Sequence, residues 1–549
     1  MTSDGGSTDV RGDRLSRARP ESASSSHQNR ARVAGALGAA SALAATELVG
    51  LLAPTRPSLL IAVETWFLDT FAGALKSLAV ALFGTNDKAA LAAGTVIVAL
   101  LFGSWLGRLE LRRPGWGAGG LGVFGLLGVL ATWRNPQGSV GLGLLSAVVG
   151  VASGVGVLLL LLERFGLRSA PWTILRAASQ GATRRRSGEG MALVTANRRD
   201  VLAWGVGTGA AVVTLGAVGQ EVRSSLRSSA APLPTRLPAA LSTEALPAGP
   251  TFEVDGLTPY VVANEDFYRI DTALQTPAVD TDGWRLRITG RVGRELELTY
   301  ADLLARDLVE EVVTLSCVSN EVGGDLVGNA RWRGVQLRDL LEEAGVDPSA
   351  TQIMSESVDG FTAGFPTAIL DDPDRSALLA VGMNGKPLPR AHGFPARLVI
   401  SGLYGYVSAT KWIEEIRLTT LEDEDGYWIP RGWAKDGPVK TQSRIDVPRR
   451  GRDLRAGPQP VAGVAWAPSR GISKVEVRVD RGPWQEAELG PVTSDDTWVQ
   501  WIWEWDAPAG DHEIDVRATD GEGDTQTEER TRVDPDGASG WHSRTVTVG

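Results

Sequence analysis

The chain holds a single cysteine, Cys317, and its setting points to metal chemistry. It follows a short apolar run, Val312–Leu315, and opens the polar, glycine-containing stretch "CVSNEVGG". A strand that stops at a polar loop presents its last thiol at the edge of the sheet, where a soft thiolate can bind a metal. The bland alternative is an inert cysteine packed as a small hydrophobe. One cysteine forbids an intrachain disulfide and excludes multi-cysteine zinc and iron–sulfur sites. The four histidines, His27, His392, His512 and His542, all fall outside the long apolar stretches. A haem held inside a membrane by two histidines is therefore not expected. A net charge of −10 gives no sign of nucleic-acid binding.

The elements that must position Cys317 mix short strands with one clear helix. "WRLRITGRV" (Trp284–Val292) alternates as a strand does, and "ARLVISG" (Ala396–Gly402) reads as a buried strand. "VQLRDLLEEAGV" (Val335–Val346) has helical spacing and stops at Gly345. These features make 251–447 a segment that mixes short strands with one clear helix. From 448 to 549 the pattern is all strand: Val475, Val477 and Val479 alternate, then Trp501, Trp503 and Trp505, then Ile514 and Val516, then Val546 and Val548. Turn residues separate these runs, which predicts a β-sandwich of immunoglobulin-like type. The tryptophan stripe reads as a core face or an interface before it reads as a sugar-binding face. Residues 220–250, rich in Ser, Ala, Pro and Leu, read as a linker.

The first 219 residues differ in kind. A spanning helix needs about 20 mostly apolar residues. Five stretches qualify, near 33–53, 89–107, 115–133, 139–162 and 201–219. A sixth, 59–83, carries Glu64, Asp69 and Lys76, and predicts a segment lying at the surface or re-entrant. Arginine placement decides the sides. Six arginines precede residue 33, Arg108, Arg112 and Arg113 follow the second span, and eight occupy 163–200, including Arg184, Arg185 and Arg186. Lys and Arg prefer cytoplasmic loops. Five spans put all three clusters inside and residues 220–549 outside, whereas six would export the richest loop. Arg198-Arg199 before the last span looks like an internal twin-arginine export signal, which suits a domain that crosses the membrane already folded. Residues 1–32 are expected to be a disordered cytoplasmic tail.

Residues 252–549 resemble the sulfite oxidase family, in its membrane-anchored bacterial form. "NEDFYRIDTALQTP" (Asn264–Pro277) is similar to the family's opening segment. "CVSNEVGG" matches the segment with the metal-ligating cysteine, and "ARWRGVQLRDLL" (Ala330–Leu341) follows it. "HGFPARLVISGLYGYVSATKWI" (His392–Ile413) resembles the cofactor clamp, and the C-terminal sandwich resembles the family's dimerisation domain. The resemblance implies a multi-domain chain: an all-α membrane domain, an α+β molybdopterin domain and an immunoglobulin-like sandwich. It implies one molybdenum–molybdopterin per chain, ligated by Cys317, and no haem. His392, Arg397 and Lys411 would bind the pterin and its phosphate, with Tyr268, Arg269 and Thr362 nearby and Asn264 and Ser408 as further candidates. Arginine clamps phosphate bidentately and lysine supplies a point charge. Both Arg397 and Lys411 flank apolar strand residues, which favours a site over a solvated surface.

The implied reaction is two-electron oxygen-atom transfer between a small-molecule substrate and an external electron donor or acceptor, in a membrane-bound homodimer. One departure bears on the substrate. Sulfite-oxidising members place an arginine shortly after the ligand cysteine, where this chain has Asn320, Glu321 and Val322. A glutamate there would repel sulfite, so reduction of a neutral S-oxide or N-oxide stands beside sulfite-like oxidation. The competing reading is a non-catalytic, membrane-anchored adhesion or scaffold protein with the sandwich as its binding module. Such a protein has no use for the Cys317 loop or the His392–Lys411 segment.

Overall fold

The computed structural model describes residues 20–70, 87–167, 198–230, 233–247, 252–451 and 453–549. The tail before Pro20, residues 71–83 of the expected surface segment and the run Arg184, Arg185, Arg186 lie outside the described residues.

The N-terminal part is a bundle of long helices: α1 (Pro20–Val49), α2 (Asp87–Arg112), α3 (Trp116–Arg134), α4 (Val140–Arg164) and α5 (Arg198–Ala230). Among the described residues four stretches are long and apolar enough to cross a membrane: Ser25–Leu52, Ala90–Arg112, Trp116–Arg134 and Val140–Arg164. The expected fifth, 201–219, is helical within α5, where some side chains lie outside the described residues. Helix α1 packs against α2, α4 and α5. Small residues allow the approach: a Cβ on Gly35 would strike the Gly103 carbonyl, and one on Gly38 would lie 2.9 Å from the Gly154 carbonyl.

The two ends of the bundle differ. At one, Arg30 donates to the Phe165 carbonyl (3.3 Å), Arg108 to Gln28 (3.0 Å), and Arg164 lies over Trp204 (4.7 Å). At the other, Arg223 pairs with Glu47 (3.3 Å) and Arg56 donates to the Gln137 carbonyl (3.2 Å). This second end meets the rest of the protein. The Tyr427 hydroxyl donates to Asp69 (2.9 Å) in the helical stretch 59–70, and Arg431 donates to the Asp69 carbonyl (3.4 Å).

Two sheets follow. One runs in the order Ser242–Thr243, Val309–Ser316, Val327–Gln336, Ala377–Met383, Arg397–Ile400, with Lys386–Pro387 beside Ala377–Met383. The other runs Leu296–Thr299, Arg285–Gly290, Ile413–Thr419, Gln352–Ser357, Thr362–Pro366. Trp332, Leu340, Leu378, Ile400 and Ile416 belong to their common core. The expected helix forms at Leu337–Ala344 and ends on Gly345 at φ +68°, a left-handed cap that glycine adopts without a Cβ penalty. Part of the expected linker is ordered against the first sheet. Ser242 and Thr243 pair in parallel with Val309 and Glu310, and the Glu244 carboxylate accepts the Val312 N–H (2.7 Å). An exposed strand edge offers unpaired backbone groups, and this segment satisfies them.

The C-terminal part consists of a four-stranded sheet (Gln442–Val447, Gly457–Trp466, Val499–Ala507, Glu488–Leu489) and a five-stranded one (Asp453–Leu454, His542–Val548, Gly510–Asp520, Ile472–Val479, Gln485–Glu486). Strand Gln442–Val447 lies before residue 448 yet pairs within this part. Val475, Val477, Trp501, Trp505, Ile514 and Val546 form one buried cluster, so the alternating residues, tryptophans included, are a core face.

Candidate active site

Strand Val309–Ser316 delivers Cys317 to the loop that follows it. The Cys317 N–H bonds the Leu326 carbonyl (2.9 Å), its carbonyl accepts from Asn320 N–H (3.0 Å), and the Asn320 side chain accepts from Leu326 N–H (2.9 Å). Those bonds tie the loop's ends together. The Ser319 N–H points at the Cys317 sulfur (3.4 Å). The C-terminal sheets brace the loop from outside. Arg444 donates to the Gly324 carbonyl (2.9 Å), and Gly323, at φ +76°, lies so close to the His542 ring that a Cβ would collide with it.

Cys317 is 9% exposed and opens on a pocket that Tyr268, His392, Arg397 and Lys411 also line. Five of the nine residues singled out from the sequence are thus brought together. His392 donates from Nε2 to the Asn264 carbonyl (2.8 Å) and meets Phe267 edge-on. Burial, helped by the charges of Arg397 and Lys411, lowers its pKa to about 4, so the ring is neutral near pH 7. Arg397 is 6% exposed and donates to the carbonyls of His392 (3.2 Å), Leu398 (3.3 Å) and Ala409 (3.5 Å), with its guanidinium 4.9 Å from the Trp332 ring. Burial lowers its pKa to about 10, which still leaves a cation. Among the described residues no carboxylate pairs with it. Gly393, at φ +114°, makes this packing possible, since a Cβ there would sit 3.0 Å from the Arg397 Cβ. Lys411 pairs with Asp271 at 2.8 Å, both side chains being nearly buried. Burial also pushes the Tyr268 hydroxyl up, keeping it protonated.

The other four residues lie off the pocket wall. Asn264 contributes its carbonyl to His392, while its side chain accepts from Asn384 (2.8 Å). Arg269 is half exposed, 3.7 Å from Asp271. Thr362 sits in a strand opposite Glu356 and accepts the Tyr427 N–H at its carbonyl (2.9 Å). The buried Ser408 hydroxyl donates to the Tyr404 carbonyl (3.1 Å). Sequence reasoning missed Asp271, Asp359 and the aromatic wall of Tyr406, Trp412, Trp428 and Trp433. The signal for Asp271 was its place three residues after Tyr268, and for the wall the cluster "YWIPRGW" (Tyr427–Trp433). Burial raises the Asp359 carboxyl above the usual range. Glu321 is exposed and is not on the wall. The repulsion expected from it therefore does not act inside the pocket.

Among the described residues no group of three or more His, Cys, Asp or Glu side chains could hold a metal alone. A metal at Cys317 would take its remaining ligands from a cofactor. Residues 273–428 match the family model of the oxidoreductase molybdopterin binding domain. The chain is 30% identical over 303 residues to mitochondrial sulfite oxidase of Homo sapiens, covering 47% of this chain and 55% of that protein. It is 34% identical over 159 residues to the uncharacterized oxidoreductase YuiH of Bacillus subtilis, covering 29% of this chain and 76% of that one. The chain belongs to the sulfite oxidase family. Like other members of the sulfite oxidase family it is a molybdopterin-binding oxidoreductase. It spans about half the length of the curated sulfite oxidases it matches. Among solved structures it is similar to the sulfane dehydrogenase SoxCD from Paracoccus pantotrophus, with a TM-score of 0.47 and 23% identity over 53% of this chain and 82% of that chain.

The sulfite oxidase family domain implies a molybdenum–molybdopterin, and the residues present fit it. Cys317 offers a soft ligand facing the pocket. Arg397 is a buried cation whose described partners are carbonyls and a ring, which is the environment an incoming phosphate would complete.

Proposed function

We propose that this protein is a membrane-anchored oxidoreductase that transfers an oxygen atom with two electrons, with Cys317 as the protein ligand of its molybdenum. The supporting observation is the meeting of the Cys317 thiol and the uncompensated Arg397 guanidinium in one pocket. When bound, the molybdenum–molybdopterin supplies the two-electron chemistry, and the protein binds, orients and tunes it. Arg397 holds the phosphate end of the cofactor. His392 is fixed by its bond to Asn264, so its Nε2 keeps a proton and its Nδ1 keeps a lone pair for a donor on the pterin. Tyr268 remains a hydroxyl donor. Asp359, held towards its protonated form by burial, can carry a proton at its carboxyl oxygen to a departing oxygen atom.

The substrate we propose is a neutral S-oxide or N-oxide, which is reduced. Arg397 and Lys411 are the cations on the described pocket wall; Asp271 neutralises Lys411, and Arg397 is taken by the cofactor. The remaining wall is largely aromatic, with Asp359 its other acidic group, which suits an uncharged substrate. Oxidation of a small anion such as sulfite is favoured by one observation alone, the charge of Arg397.

The arrangement of the bundle supports a catalytic part outside the cytoplasm. Arg30, Arg108 and Arg164 gather at the end away from the catalytic sheets. With α5 as the fifth span, that end is the cytoplasmic one, and Arg198-Arg199 begins the span that exports the folded domain. The catalytic domain is proposed to begin at 251 and to end before the strand Gln442–Val447, which joins 448–549 in an immunoglobulin-like domain that mediates a homodimer. In a Cys317→Ser chain, a cysteine placed at Ser242 should be labelled by impermeant reagent on intact cells while one at Ser26 is spared. Labelling of both, or of Ser26 alone, would refute five spans. Purified full-length protein should carry about one molybdenum per chain and turn over an S-oxide or N-oxide with a reduced dye, and Cys317→Ser should lose turnover. A fully active serine variant would remove Cys317 from the account.

A further inference from the structure

The helix bundle contains a second cavity, of about 670 Å³, beneath the catalytic part. Its walls are apolar side chains of α1 to α4, such as Leu43, Val98, Phe124 and Val151. Asp271, Thr272 and Trp428 line this cavity and the catalytic pocket alike, so one layer of side chains divides the two. Glu64, in the helical stretch 59–70, also lines it. That side chain is 5% exposed, and its Oε1 meets no hydrogen-bond donor among the described residues. A buried acceptor without a donor is costly, and an apolar cavity around it asks for a ligand that is greasy along its length and carries a hydroxyl at its head.

Charge separates the lipophilic ligands that could fit. Among the described residues the carboxylates on the wall are Glu64, Asp69 and Asp271, and no Lys or Arg lines it. A phospholipid head group would bring a phosphate to an acidic rim. A quinol brings two neutral hydroxyls, and the volume lies within the ordinary range for a ligand of its size. The histidines all fall outside the apolar stretches, so an organic carrier suits this bundle better than a haem.

We infer that the bundle cavity is a quinol-binding site that feeds the catalytic pocket. The head group would meet Glu64 and Asp69, and the tail would lie along the apolar walls. The inference rests on the proposed reductase reading for the direction of electron flow. In balance, the quinol loses two electrons and two protons and becomes the quinone. The S-oxide or N-oxide gains them, its bond to oxygen breaks, and the oxygen leaves as water.

The test uses the full chain in phosphatidylcholine nanodiscs with decyl-benzoquinol, kept reduced under argon, as probe. Tryptophan fluorescence, with Trp428 in the wall, should be quenched saturably beyond the partitioning seen with empty discs. Gly94 lines the cavity and an added Cβ there meets nothing within 4 Å, so Gly94→Phe fills the space without a backbone clash. It should weaken binding by about tenfold or more, and Glu64→Leu should do the same. Decyl-benzoquinol should then be oxidised when dimethyl sulfoxide or trimethylamine N-oxide is added. No saturable quenching, or unchanged binding in a Gly94→Phe chain of unchanged Tm, would overturn the site. So would recovery of phospholipid that the probe cannot displace. Quinol left unoxidised while reduced dye turns over the same oxide would overturn its role as donor. Binding is read without turnover, so a chain lacking molybdenum would defeat the proposed function and still decide the cavity.

Discussion

Replacing Arg397 by methionine separates its role in folding from its role toward the cofactor. The guanidinium is buried, holds three carbonyls at 3.2 to 3.5 Å and lies over Trp332, with burial lowering its pKa to about 10. Those bonds are long and the desolvation of an unpaired cation costs several kcal/mol. Methionine fills similar length, removes that cost and leaves three carbonyls less well served, at about 1 kcal/mol each. The two effects nearly cancel, so the Tm of cofactor-free Arg397→Met should lie within a few degrees of the parent. Toward the cofactor nothing offsets the loss. A hydrogen bond between charged groups contributes about 1.5–3 kcal/mol, which is roughly 10- to 150-fold in affinity. Molybdenum and pterin content of the purified variant, measured by mass spectrometry and by fluorescence of the oxidised pterin, should fall to a small fraction. An Arg397→Met chain that loads molybdenum as fully as the parent would refute the phosphate-clamp reasoning. A loss of cofactor with a collapsed Tm would show that Arg397 serves the fold instead.

Further outcomes follow from the same geometry. Burial lowers His392 and His542 to about 4 from an ordinary 6.5, so the unfolded chain binds protons that the folded one refuses. Stability is complete above pH 6.5 and is lost as pH falls from there toward 4; Tm measured across that window should drop, and His542→Gln should shrink the slope. Gly323→Ala puts a Cβ against the His542 ring at a positive φ, and should cost about 1–3 kcal/mol in denaturant titration. Lys411→Met removes the nearest cation from the buried Asp271, with Arg269 still 3.7 Å away. The cost should be about 3 kcal/mol, and Lys411→Met with Asp271→Asn should recover most of it. A double variant no more stable than the single one would dissolve that pair.

What could be read from the sequence was local. Cys317 was legible because an apolar run and a polar loop meet at it, and the helix Leu337–Ala344 because its apolar spacing ends on a glycine. The tryptophan face of the C-terminal sheets follows from a two-residue period. What was hidden depended on contacts between distant segments. Lys411 and Asp271 lie 140 residues apart, and Arg444 reaches the Cys317 loop from 120 residues away. Motif matching named Asn264 and Ser408, but matching gives a position and not a direction, and both side chains turn to the backbone or to a neighbouring amide. Glu321 shows the same limit, since a residue four after the cysteine can face solvent as readily as the pocket. The edge strand Ser242–Thr243 had no pattern of its own to announce it, because the sheet it joins supplies the register.

The proposed chemistry depends on Cys317 as the protein's ligand to molybdenum. X-ray absorption at the molybdenum edge of the purified full chain and of Cys317→Ser tests this directly, because it counts sulfur neighbours independently of substrate and partner. Molybdenum is expected in both proteins, with one sulfur neighbour fewer in the serine variant. The same sulfur count in both would contradict it.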